Sequence, residues 1–114
     1  MTQARRALGI GGEEAVAAWY EERGYRVLDR NWRCRAGELD LVLRRGGLVV
    51  FCEVKTRSSD AFGLPAEAVG RQKQQRIRVL AAHWLADSPS HASEIRFDVA
   101  AVLASQIEVI QAAF

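Results

Sequence analysis

The stretch GELDLVLRRGGLVVFCEVKTR, from Gly37 to Arg57, constrains the fold more than any other part of the chain. Two apolar runs, Glu38–Arg45 and Leu48–Arg57, meet at Gly46-Gly47. Val- and Leu-rich runs joined by two glycines predict a β-hairpin, because glycine adopts the positive φ that a tight turn requires. A two-residue loop fixes the register. Val42 then faces Phe51, Asp40 faces Glu53, and Glu38 faces Lys55. A four-residue loop keeps those partners, whereas a loop of odd length shifts them by one.

That register creates an electrostatic conflict. Directly opposed residues place their Cβ atoms about 5 Å apart, and like charges so placed destabilise a sheet. The second strand of the hairpin is apolar on both faces around Glu53: Val49 and Phe51 on one, Val50, Cys52 and Val54 on the other. A strand of that kind is covered on both sides, so the Asp40–Glu53 pair is expected to be poorly solvated. Two carboxylates in such a place share a proton, find cations or bind a metal. Lys55 lies on the face of Glu53 and neutralises part of the charge. A hard divalent cation such as Mg²⁺ or Mn²⁺, taking an oxygen from each acid and several waters, resolves the rest. The competing expectation is a polar edge strand whose Asp40, Glu53, Glu38 and Lys55 form solvated cross-strand ion pairs. It accounts for Glu38 with Lys55 and leaves Asp40 against Glu53 unexplained.

The other elements follow from periodicity and punctuation. Glu13–Arg23 reads as a helix with Val16, Trp19 and Tyr20 on one face and Gly24 as its stop. Tyr25–Arg33 reads as a strand. Pro65 opens a long helix that runs to about Asp87 and buries Val69, Ile77, Leu80, Ala81, Trp84 and Leu85. Glu94–Leu103 and Gln106–Phe114 read as two closing strands. The order α-β-β-β-α-β-β predicts an α/β domain, a mixed sheet flanked by helices, spanning residues 1–114 as one unit. No run approaches the length of a membrane span, and the N-terminus has no apolar core of a secretory signal, so no membrane partner is expected. Cys34 and Cys52 stand alone in sequence, which suits a reducing cytoplasm better than a disulfide framework. With His83 and His91 they have no zinc-site spacing.

Asp40, followed on the next strand by Glu53-Val54-Lys55, resembles the D…E-x-K signature of the restriction-endonuclease-like nucleases. Gly11–Val42, Val49–Gly63 and the RFDV of Arg96–Val99 together resemble the YraN family of bacterial proteins across nearly the whole chain. The resemblance implies a restriction-endonuclease-like fold, akin to archaeal Holliday-junction resolvases. It further implies metal-dependent hydrolysis of phosphodiester bonds. Asp40 and Glu53 match the metal-binding acids, Lys55 the catalytic lysine, and Glu13 the acid of the first helix that reaches the same metal in related nucleases. Glu13 also has a reading as a first-turn acid favoured by the helix dipole. Leu39 stands where the superfamily motif has proline, a departure that touches backbone shape and not chemistry.

A nucleic-acid partner, DNA ahead of RNA, needs phosphate contacts outside the acidic centre. Arg33, Arg35, Arg57, Arg71, Lys73 and Arg76 flank it, and Lys73 matches a lysine position in the family. Of the 16 basic residues, 14 are Arg, the side chain suited to bidentate phosphate contacts, although a GC-rich coding sequence gives the same bias. The net charge of +2 does not by itself demand a polyanion. No Walker loop is present, and GIGG at Gly9–Gly12 lacks the strand and third glycine of a dinucleotide fingerprint. Two function classes stay open: a structure-selective nuclease, and a non-catalytic nucleic-acid-binding or assembly module that keeps the fold. A homodimer is compatible with either.

Overall fold

The computed structural model describes residues 10–57, 69–88, 91–104 and 106–114. Helix α1 (Ile10–Glu21) is followed by strands β1 (Arg26–Cys34), β2 (Gly37–Arg45) and β3 (Leu48–Arg57). Helix α2 (Arg71–Asp87) then leads to β4 (Glu94–Leu103) and β5 (Gln106–Ile110). All five strands form one sheet in the order β1-β2-β3-β4-β5. Only β3 and β4 pair in parallel; the other neighbours are antiparallel. This is the expected α/β arrangement with a mixed sheet between helices, and β3 lies at its centre.

Each helix covers one face of the sheet. Beneath α1, Val16, Ala17 and Tyr20 pack on Leu41, Leu43, Val50, Cys52, Ala100 and Val102. Beneath α2, Ile77, Leu80, Ala81 and Trp84 pack on Val42, Val49, Phe51, Phe97 and Val99. The alternation along β3 sends Val49 and Phe51 to one core and Val50 and Cys52 to the other, and all four are buried. Cys34 and Cys52 are free thiols associated with opposite faces. Among the described residues no helix is long and apolar enough to cross a membrane.

The ends of the elements have local causes. Gly24 stops α1 with φ +88°, donating its N–H to the Glu21 carbonyl, while Tyr25 N–H reaches back to Tyr20. This paired capping leaves few helix-end carbonyls unsatisfied. At the β2–β3 turn, Gly46 has φ +61° and the backbone of Gly47 lies so close to Ser93 that a Cβ there would collide with its side chain.

Most boundaries lie within three residues of the sequence expectation, and two differ by more. Helix α2 starts at Arg71, with Gly70 as its N-cap; Pro65 falls outside the described residues. The last strand ends at Ile110 rather than Phe114. Ala112 turns with φ +51°, Ala113 N–H donates to the Phe97 carbonyl at 2.8 Å, and Phe114 stacks on Phe97. The apolar ending that reads as strand is a fold-back sealing the α2-side core.

Candidate active site

The β2–β3 ladder follows the anticipated register from Arg45–Leu48 to Leu41–Cys52. The next positions in step are Asp40 and Glu53, and there the backbone pairing gives way to a side chain. Val54 N–H donates to Asp40 Oδ2 at 2.8 Å. Beyond that point β2 stays paired with β1 through Trp32–Leu39, Arg33–Glu38 and Cys34–Gly37. The two strands that carry the acids therefore part at the acids themselves.

The expected Glu38–Lys55 pair does not form. Glu38 accepts a hydrogen bond from its β1 partner Arg33 at 3.3 Å, the Arg33 side chain being exposed and that of Glu38 half-buried. Lys55 turns instead to Glu53, its Nζ 3.5 Å from Oε2. The cause is the end of the ladder: without backbone pairing, nothing holds Lys55 across from Glu38. The alternative of a solvated edge strand is overturned as well, since β3 is the central strand and Glu53 is only 7% exposed.

Glu53 is also gripped from α2. Lys73, in that helix's first turn, places Nζ 2.6 Å from the same Oε2. The hydrogen bond to Glu53 pushes the Lys73 ammonium up from its ordinary pKa. Asp40 is pushed up from its ordinary 3.8 to about 7, by burial first and by the charge of Glu53 second. The bond from Val54 works the other way, and the charge of Glu13 on α1 adds to the rise. Asp40 is thus the strained member of the pair, a carboxyl pushed up first by burial and then by the carboxylate beside it.

Arg35 is exposed in the β1–β2 turn, and Arg71 and Arg76 are exposed on α2. A Cβ on Gly37 would touch the stem of Arg76, so α2 lies beside the turn that carries Arg35. The side chain of Arg57 is outside the described residues.

A second buried acid was not anticipated. Asp98 is fully buried on the α1 side of β4. It accepts hydrogen bonds from Tyr20 Oη at 2.6 Å, from Arg96 at 2.8 and 2.9 Å, and from Ala112 N–H at 3.0 Å. Its signal in the sequence is an acid inside the apolar run RFDVAAVL, the same signal that singled out Asp40. With every oxygen engaged, Asp98 ties α1, β4 and the turn after β5 together. It holds the helix from which Glu13 acts on Asp40.

The profile of the family described as "Uncharacterised protein family UPF0102" matches residues 12–102. The chain belongs to the UPF0102 family. Curated UPF0102 relatives include one from Beutenbergia cavernae, 56% identical over 89% of this chain and 86% of its own. One from Frankia alni is 57% identical over 88% and 83%. One from Moorella thermoacetica is 45% identical over the full length of both chains. The YraN-like kinship anticipated from the motifs is thereby shown.

In this UPF0102 member the donors at the acid pair are all oxygen. Among the described residues no three His, Cys, Asp or Glu side chains gather as a cage. An ion held by Asp40 and Glu53 would keep several waters, the habit of Mg²⁺ and Mn²⁺ rather than of zinc. The donor chemistry fits such a cation, as does a carboxyl strained by its neighbour.

Proposed function

We propose that this UPF0102 chain is a metal-dependent nuclease that hydrolyses phosphodiester bonds, with DNA preferred to RNA and nucleic-acid structure preferred to sequence. The observation that carries this reading is the juxtaposition of half-buried Asp40 with buried Glu53 where the β2–β3 ladder ends, a setting that pushes the Asp40 carboxyl up to about 7. A structural carboxylate has no need of a second one in that position. Asp40 and Glu53 would hold Mg²⁺ or Mn²⁺, and the charge of Glu13 on α1, felt at Asp40, would add to the attraction. When bound, the cation polarises a phosphate and acidifies a water. Lys55, half-buried beside Glu53, stabilises charge that develops on the phosphoryl oxygens. Val54 N–H fixes the rotamer of Asp40, and burial of Glu53 keeps bulk water from competing. Arg33, Arg35, Arg57, Arg71 and Arg76 supply phosphate contacts around the centre. Two free cysteines suit work in the reducing cytoplasm.

Single-turnover cleavage of branched, single-stranded and duplex substrates, with Mg²⁺ and with Mn²⁺, tests the reading. Lys55→Met keeps the apolar stem, so fold and substrate binding should persist while cleavage falls by on the order of a hundredfold. Equal rates would reduce Lys55 to a counter-charge for Glu53. Tight binding by the wild type without cleavage of any substrate would favour the non-catalytic module.

A further inference from the structure

Two lysines contact one oxygen of Glu53, and they are anchored differently. Lys55 rises from the central strand and its side chain is 25% exposed. Lys73 comes from the first turn of α2 and its side chain is 44% exposed. That turn disfavours a cation: the N-terminal end of a helix carries partial positive charge. The turn contains no acid, and Gly70 offers no side-chain cap. Lys73 gains nothing from its own helix, and the 2.6 Å contact with Glu53 is what holds it.

Glu53, with Asp40 beside it, already faces two ammoniums at this site. A divalent cation joining Glu53 and Asp40 would add further positive charge, and it competes with Lys73 for the lone pairs of Glu53. The ammonium that can leave at least cost is the one on a long, half-solvated stem. We infer that Lys73 is an exchangeable internal counter-ion. It holds Glu53 Oε2 in the metal-free protein, yields that oxygen to a divalent cation, and swings outward to meet the phosphate of the substrate. The inference rests on the metal-dependent reading above. It also couples two ligands: a phosphate that captures the released ammonium tightens metal binding, and by linkage the metal tightens phosphate binding to the same degree.

The test is calorimetric titration of Mn²⁺ into the wild type and Lys73→Met. With the competitor gone, Lys73→Met should bind Mn²⁺ roughly tenfold more tightly. Binding to the wild type with equal or weaker binding to the variant overturns the exchange and leaves the metal centre standing. Absence of Mn²⁺ binding to both proteins overturns the exchange and the metal centre together. A second measurement does not depend on the variant. The chain has only two lysines, so ¹³C-lysine labelling yields two sets of ε-methylene signals, assigned with Lys55→Met. Saturating Mg²⁺ should move the Lys73 set toward the position of a free, solvated lysine. A Lys73 set that stays in place at saturation overturns the exchange.

Discussion

Asp40 is a residue whose folded environment opposes its own charge, and this gives stability a defined pH dependence. Below pH 3.8 the acid is protonated in the folded and unfolded chain alike, and it costs nothing. Between that value and about 7 the unfolded chain releases the proton while the folded chain retains it, so this residue's contribution falls as pH rises. Above about 7 the loss is complete. In chelator at pH 8, Asp40→Asn should therefore be more stable than the wild type by about 1–3 kcal/mol, because the amide still accepts from Val54 without repelling Glu53. The gap should close toward pH 4, and Mg²⁺ should raise the melting temperature of the wild type only. A variant less stable at pH 8 would mark Asp40 as a structural acid. Asp98 illustrates the opposite case, a buried carboxylate with every need met. Tyr20→Phe keeps the edge-on ring contacts with Trp19 and Tyr25 but removes one donor from that carboxylate. Chemical denaturation should register a loss of roughly 1.5–3 kcal/mol, the scale of a hydrogen bond to a charged group.

The elements stop where local chemistry stops them, and Gly24 is the clearest instance. A Cβ there would have room, its nearest neighbour being Arg45 Cδ at 3.8 Å, so only the backbone objects. Gly24→Ala should destabilise by about 1–2 kcal/mol through its left-handed φ alone; an unchanged unfolding midpoint would show that the helix end adapts by another route. Such local signals explain why most elements were legible in the sequence. The glycine pair set the β2–β3 register, and the Val16, Tyr20 and Ile77, Leu80, Trp84 stripes marked the buried faces of the helices. Phe114 was misread because an apolar ending has the same composition whether it pairs as a strand or folds back onto Phe97. Glu38 was misassigned because the hairpin ladder was extended past the point where β2 and β3 separate. No residue type announces where a ladder ends.

At the scale of the whole molecule, the candidate site draws on α1, β2, β3 and α2. Its acids were legible because charge inside apolar strands is conspicuous. Lys73 was expected near the site from its match to the family, but its grip on Glu53 was not, since that depends on how a helix packs after a long connection. The exposed arginines of α2 make a prediction at this scale. Replacing Arg71 and Arg76 together with Ala should shallow the log–log salt dependence of nucleic-acid binding by roughly one to two contacts, alike for all sequences. An unaltered slope would place the bound strand elsewhere. The partners of Asp98 also give the fold a timetable. Tyr20 and Asp98 are 78 positions apart, and Ala112 lies near the end of the chain. During synthesis this carboxylate cannot be fully paired until Ala112 has been made, so helix α1 is locked by contacts made long after its own residues. Contacts of such separation slow folding. The nascent chain carries its acidic residues long before it can hold them together, and the centre they build belongs only to the finished protein.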